Sequence, residues 1–334
     1  PSIHTTPEAP DLQATLAMMH ERHARAVAME VSSHALALHR VGGSHFKIAG
    51  FTNLTQDHLD FHGSMDRYFQ AKASLFRFGF SDLAIINIDD TYGSKLLTQI
   101  EIPAVTVSRA GKADWFFEEI TKFNRGTSVK IRGRDGILIE GTTKLLGDYN
   151  LDNLLMAVAI AVISGIDPIE ISSNLQLYTG APGRMELVEL GQNFMAFVDY
   201  AHTSDATINV LKSAREFTSG KLIAVLGCGG DRDKSKRPLM GQALTLADYP
   251  IFTSDNPRSE DPHQILKEMT TGISHNGEII VDRRAAIARA VELAQAGDVV
   301  AVLGKGHETG QEINGEKFSF DDRKELANAI AGKK

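Results

Sequence analysis

The run Asn53-Leu54-Thr55-Gln56-Asp57-His58-Leu59-Asp60-Phe61-His62 gathers carboxylates and imidazoles in a short stretch. Asp57, His58, Asp60 and His62 have the oxygen and nitrogen donors that a divalent ion takes. The same residues suit a helix start, where Asp is favoured by exposed N–H groups and the dipole. Spacing alone leaves both readings open. Glu30 follows the apolar run 26–29, and an acid buried there would need a cation or a donor. Lys72, in Tyr68-Phe69-Gln70-Ala71-Lys72-Ala73, is expected one or two turns into a helix. Solvent is the usual fate of a lysine, although burial can depress its pKa and free a reactive neutral amine.

The second half carries a different chemistry. Gly227-Cys228-Gly229-Gly230-Asp231-Arg232 is glycine-rich but lacks the G-x-G-x-x-G spacing of a dinucleotide site. Arg232 opens the basic run Arg232-Asp233-Lys234-Ser235-Lys236-Arg237, and Arg258 closes Asp255-Asn256-Pro257-Arg258. Each arginine could be solvated or could clasp a carboxylate in bidentate fashion. Pro257 fixes its own φ and restricts Asn256, so that loop is partly rigid. Two arginines in neighbouring loops would suit a substrate with two carboxylates. Asn150 is expected to cap a helix, and Asp199 and His202 to end a strand as a cap and a satisfied histidine. No G-x-x-x-x-G-K-[ST] loop occurs, so nucleotide phosphates have no obvious seat.

These motifs need a frame. Strands are expected at 26–32, 46–54, 83–88, 104–108, 128–131 and 137–140, with an apolar helix at 151–164. After the turn Gly180-Ala181-Pro182-Gly183, strands at 195–199, 222–226, 251–254, 278–281 and 299–303 alternate with helices near 205–217, 238–247, 263–273 and 284–296. Such alternation implies α/β architecture with a parallel sheet covered on both faces. Ligands gather at the carboxyl ends of strands in these folds. The motifs at 30–34, 53–60, 199–202, 227–232, 255–258 and 304–308 all finish or follow strands, as one cleft between two domains would require.

At 334 residues the chain exceeds one ordinary core, and 181 opens the second domain. A net charge of −7 with no basic patch argues against nucleic acid. No apolar run approaches the ~20 residues that span a bilayer, and no signal peptide is legible. Cys228 is the lone cysteine, which fits a reducing, cytoplasmic setting.

Taken in order, the segments resemble the Mur ligase family, and within it the branch that adds diaminopimelate. Besides the motifs above, the resemblance rests on Thr5-Thr6-Pro7-Glu8, Arg40-Val41, Asn150-x-x-Asn153, Ala181-Pro182-Gly183-Arg184-Met185-Glu186, Asp199-Tyr200-Ala201-His202 and Gly304-Lys305-Gly306-His307-Glu308. It extends to Phe320-Asp321-Asp322-Arg323. It implies a central ATPase-type α/β domain (1–180), incomplete here, with a mostly parallel sheet. A Rossmann-like C-terminal α/β domain (181–334) follows.

It also implies ATP and Mg2+, with a substrate carboxylate passing through an acyl phosphate that an amine attacks. The implied substrates are UDP-N-acetylmuramoyl-L-alanyl-D-glutamate and meso-2,6-diaminopimelate, with a monomeric enzyme. Glu30, His58 and Lys72 as a carbamate would be the catalytic and magnesium-binding residues. Thr5, Thr6, Ser32 and Arg40 would grip the UDP substrate. Asn150, Asn153, Arg184 and Asp199 would line the ATP pocket, with His202 in support. Arg232, Asp255, Asn256, Pro257, Arg258, Gly304 and Glu308 would hold diaminopimelate, with Arg258 on its distal carboxylate and Glu308 on an ammonium.

Against the family pattern, the amino-terminal UDP-binding domain and the phosphate loop are absent from this sequence, so the chain alone is expected to be inactive. Leu38 and Ser204 also depart from it. The rival readings are a lysine-adding or folylpolyglutamate-type ligase, a metal-dependent hydrolase built on Asp57, His58, Asp60 and His62, and a non-catalytic substrate-binding fragment.

Overall fold

A computed structural model describes residues 5–123, 126–274 and 277–333. The chain divides into two compact units. One comprises Pro1–Ile120, Val129–Glu140 and Asp152–Ser173; the other comprises Thr121–Ser128, Gly141–Leu151 and Asn174–Lys334. No helix among the described residues is long and apolar enough to cross a membrane.

The first half of the chain contains α1 (Ala9–Glu21), α2 (Ser33–Ala37), β1 (Phe46–Phe51), α3 (Leu59–His62), α4 (Met65–Ala73), β2 (Ser81–Asn87), α5 (Thr91–Leu97) and β3 (Ala104–Ser108). Next come β4 (Trp115–Phe123), β5 (Gly126–Arg132), β6 (Leu138–Thr143), α6 (Asp148–Ile163) and α7 (Pro168–Asn174). The six strands form one sheet in sequence order, and β1 to β4 pair in parallel. Phe69 and Ala73 of α4 and Leu96 of α5 bury against Ala49, Phe51, Ala84 and Ile86 of β1 and β2. That contact fixes where α4 presents Lys72.

The segment 26–32 is not a strand, contrary to the expectation from its apolar composition. β1 is the edge strand of its sheet, but the run 26–32 forms no ladder with it. Thr6 substitutes for one. Its hydroxyl donates to Glu30 O at 2.9 Å and accepts from Ser32 N at 3.0 Å. Positions 26–28 and Glu30 are exposed rather than buried. The strand β4 is the converse case: Glu118 and Glu119 in its centre hide its strand character, and only Trp115 is fully buried. Lys72 lies in the last turn of α4, as far into the helix as expected. The helix α6 begins at Asp148, ahead of Asn150.

The second unit continues with β7 (Glu186–Leu187), β8 (Met195–Asp199), α8 (Ser204–Glu216), β9 (Leu222–Cys228), α9 (Lys236–Leu244), β10 (Tyr249–Ser254), α10 (Pro262–Met269) and β11 (Glu278–Ile279). It ends with α11 (Arg283–Leu293), β12 (Val299–Leu303), β13 (Gly310–Ile313), β14 (Glu316–Ser319) and α12 (Asp322–Gly332). The main sheet has the order β11-β10-β9-β12-β8-β7, parallel except for the β7 edge. Side chains alternate across it with period two. Phe197, Ala224, Leu226, Phe252 and Ala301 face α8, α9 and α10. Ala196, Ile223, Val225, Val300 and Val302 face α11 and α12. A parallel sheet buried on both faces puts its free chemistry at the strand ends. The hairpin β13–β14 turns at Asn314-Gly315, both with positive φ (51° and 79°). Gly takes that conformation without strain and Asn tolerates it.

Candidate functional site

In the first unit the chemistry-bearing residues assemble around α2, α3 and α4. Thr6 is fully buried, while Thr5 is exposed. Arg40 pairs with Glu8 Oε1 at 2.8 Å and donates to Thr6 O at 3.3 Å, and its Nε is buried without an acceptor. Ser32 Oγ accepts from Ala35 N at 3.1 Å and so caps α2. That bond leaves its own proton available to a ligand.

His58 has left-handed backbone (φ 53°), and its N–H donates to Asp57 Oδ1 at 2.8 Å. Its side chain does not cap α3, so only Asp60, in the first turn, follows the helix-start reading. Nor do Asp57, His58, Asp60 and His62 form a common ligand set. Among the described residues no three His, Cys, Asp or Glu side chains are placed to hold a metal ion. His62 bonds Ser33 Oγ at 2.9 Å and stacks on Tyr68 with ring centroids 4.9 Å apart. A hydrolase built on that quartet therefore loses its centre.

The Lys72 ammonium stands 5.6 Å from the centre of the Tyr68 ring. Burial lowers its pKa, while the charges of Glu30 and Asp57 work in the opposite direction. Burial also pushes the Tyr68 hydroxyl up to about 12, again with Asp57 and Glu30 contributing. A partly desolvated lysine in the field of two carboxylates matches the donor chemistry expected for a magnesium site once carbon dioxide is taken up. Such a site does not need three unmodified side chains, since a carbamate adds oxygen donors of its own.

In the second unit Asp199, at the end of β8, is buried and accepts from Tyr149 Oη at 2.7 Å, Met185 N at 2.8 Å and Ala201 N at 2.8 Å. Burial raises its pKa against those bonds. Asn150 is also buried, but it donates: its Nδ2 reaches Leu146 O at 2.9 Å and Arg184 O at 3.4 Å. It is not the expected helix cap, because α6 has already begun and a cap must accept. Tyr200 ties the rest together. The Arg184 guanidinium lies 5.3 Å from its ring, and the His202 and His307 rings lie at 4.6 and 5.4 Å. His202 Nδ1 bonds Tyr200 O at 2.8 Å. Gly183 (φ 72°) must be glycine, since a Cβ would fall 2.4 Å from His307 N. Asn153 is exposed on α6.

The loops after β9, β10 and β12 meet at their strand ends. Gly229 lies between two arginines: a Cβ there would be 3.0 Å from Arg258 Nη1 and 3.8 Å from Arg232 Cγ. Arg258 has φ 52°, donates from Nη1 to Gly230 O at 2.6 Å, and sits 3.3 Å from Glu312 Oε2 through Nε. The hairpin holds its backbone: Arg258 N donates to Glu312 O at 3.1 Å and Asn314 N to Arg258 O at 2.7 Å. Asp255 lies 3.9 Å from Arg283 and accepts from Asn256 N at 2.7 Å. Asn256 Nδ2 donates to Glu308 Oε2 at 3.1 Å. Gly304 (φ 110°) passes close to Asp255, whose Oδ2 would be 3.0 Å from a Cβ. Arg232 is exposed, whereas Pro257 is buried between its neighbours.

Sequence reasoning gave no role to Tyr149, Tyr200, Arg283, Lys305 or the hairpin. Asn314-Gly315 between short alternating runs was a legible hairpin signal. The others needed the fold to reveal their partners.

Family models match in two blocks: the Mur ligase middle domain over residues 1–161, and the Mur ligase, glutamate ligase domain over residues 183–306. A relative from Streptomyces coelicolor, named UDP-N-acetylmuramoyl-L-alanyl-D-glutamate--2,6-diaminopimelate ligase, is 48% identical over 339 residues, covering 98% of this chain and 67% of its own. A relative of the same name from Aquifex aeolicus is 43% identical, over 99% of this chain and 68% of its own. A solved structure of a ligase of that name has a TM-score of 0.66 at 40% identity, covering 99% of this chain and 69% of that one. MurF ligase from Thermotoga maritima, in complex with ADP, shares the fold with a TM-score of 0.62 at 15% identity, over 90% of this chain and 64% of that one. The chain thus spans about two thirds of the length of such relatives.

Proposed function

This chain belongs to the Mur ligase family, and from that premise we propose that it takes part in the ATP-dependent addition of meso-2,6-diaminopimelate to UDP-N-acetylmuramoyl-L-alanyl-D-glutamate, an amide-forming step of peptidoglycan precursor synthesis. One observation carries the choice of amino acid. Arg258 and Arg232 border Gly229, and Asn256 joins the loop of Arg258 to Glu308. A guanidinium and a carboxylate in linked loops complement an amino acid whose far end bears both an acid and an ammonium.

The roles are those that the family resemblance implies. Thr5, Thr6, Ser32 and Arg40 hold the UDP substrate. Asn150, Asn153, Arg184 and Asp199 take the nucleotide, supported by His202. The terminal phosphoryl group of ATP passes to the substrate carboxylate, ADP leaves, and the amine of diaminopimelate displaces phosphate to form the amide. Bound Mg2+ would offset the crowded negative charge during this transfer. Glu30, His58 and Lys72 would hold it. Lys72 as the neutral amine adds carbon dioxide, releases one proton and becomes a carbamate. The buried Cys228, its thiol pushed up to about 12 by burial, suits a reducing cytoplasm, and we propose a monomer.

The protein supplied with 13C-bicarbonate shows a carbamate carbon resonance that disappears in Lys72→Arg, since a guanidinium does not lose its proton to react. A resonance that persists in that variant contradicts the role of Lys72. Because this chain spans about two thirds of its relatives' length, the function itself is tested by ADP release after joining it to the remaining third of such a relative, in the presence of ATP, magnesium, the UDP substrate and meso-diaminopimelate. Release should stop when either acceptor or amino acid is omitted and should fall sharply when L-lysine replaces diaminopimelate. Equal rates with both amino acids would overturn the assignment.

A further inference from the structure

Lys305 lies two residues beyond the end of β12, after Gly304, and has no exposed side-chain surface. Lysine is rarely buried so completely without partners. Removing its charge from water is costly unless the surrounding geometry compensates. An apolar side chain would fill the same space without that cost.

The partners explain its presence. Lys305 Nζ lies 2.9 Å from Asn256 Oδ1 and 2.9 Å from Glu308 Oε2. Asn256 Nδ2 closes the triangle on the same Glu308 oxygen at 3.1 Å. Asn256 Oδ1 also accepts from Glu312 N at 3.0 Å, so the amide is fixed at both ends. The side-chain bonds of Glu308 fall on Oε2, and none to Oε1 occurs among the described residues, with the side chain 34% exposed. The cationic donor therefore holds one carboxylate oxygen and leaves the other to a ligand. Arg283, fully buried and 3.9 Å from Asp255, borders the same loop.

We propose that Lys305 is a positioning residue for amino-acid capture, its buried ammonium orienting Asn256 and Glu308 so that Glu308 meets an ammonium of the incoming diaminopimelate. This rests on the functional reading above. Lys305 does not touch the ligand; it sets the pose of two groups that do.

The test is calorimetric titration of meso-diaminopimelate into the unaltered protein, Lys305→Met and Lys305→Gln, with thermal unfolding of each. Both variants should bind about 10–100-fold more weakly, the loss that misplacement by about 1 Å produces. In the ligase completed with a relative's remaining third, steady-state assays should place the loss in KM for diaminopimelate, with kcat and KM for ATP within about threefold. On a Glu308→Gln background, Lys305→Met should add less than about threefold, because the two changes remove one interaction. If the unaltered protein binds and a folded variant binds as tightly, the Lys305 assignment alone is overturned. If the unaltered protein binds no diaminopimelate, the functional reading falls and this one with it. Should both variants fail to fold, Lys305 serves the fold and not the ligand, which also overturns the proposal.

Discussion

In the ligase completed with a relative's remaining third, Arg258→Ala lowers kcat/KM for meso-diaminopimelate by about 10–150-fold, the loss of charge-assisted hydrogen bonds of about 1.5–3 kcal/mol, while KM for ATP stays within about threefold. The side chain is placed by three constraints. Pro257 restricts the backbone before it, the hairpin bonds Arg258 on both its N–H and its carbonyl, and Nη1 is tethered to Gly230 O at 2.6 Å. Such a guanidinium loses little freedom on meeting a carboxylate. Glu312, 3.3 Å from Nε and 44% exposed, is its resident counter-ion and can yield to a ligand. Arg258→Lys should recover little, because an ammonium cannot reproduce two parallel donors. Steady-state kinetics with each substrate varied in turn decides the matter, and parallel losses toward ATP and diaminopimelate would refute the role.

The same residue shows what the sequence made legible and what it withheld. Strands 195–199 and 299–303 were readable because a parallel sheet buried on both faces demands continuous apolar runs, and the observed β8 and β12 have those bounds. The position of Asp255 through Arg258 at a strand end followed from the same frame. The segment 26–32 misled because composition reports burial preference and not whether the run pairs with a neighbouring strand. The strand β4 escaped because its exposed face is charged. Within the site, Arg258 was singled out by charge and position, and Glu308 by the family resemblance. Tyr149 under Asp199 and Lys305 under Asn256 could not be picked out, because a buried polar residue is recognised only by the partner that satisfies it, and those partners lie far along the chain.

Asp322→Ala should destabilise the second unit by about 3–5 kcal/mol, the cost of stranding one charge of a buried pair. Arg283 and Asp322 have no exposed side-chain surface, and they form two bonds, Nε to Oδ1 at 2.8 Å and Nη2 to Oδ2 at 2.6 Å. Arg283 also donates to Leu303 O at 2.8 Å and to Ser254 O at 3.5 Å. Those carbonyls are the last of β12 and β10, one residue before Gly304 and Asp255. The pair therefore braces the two strand ends that carry the proposed diaminopimelate loops, and losing it should weaken ligand capture as well as the fold. Urea unfolding followed by far-ultraviolet circular dichroism gives the free-energy change. Arg283→Met combined with Asp322→Leu should cost less than Asp322→Ala alone, since neither change leaves a lone charge in the interior. A single-variant loss below about 1 kcal/mol would mean that water reaches the pair, and the brace would then have no mechanical basis.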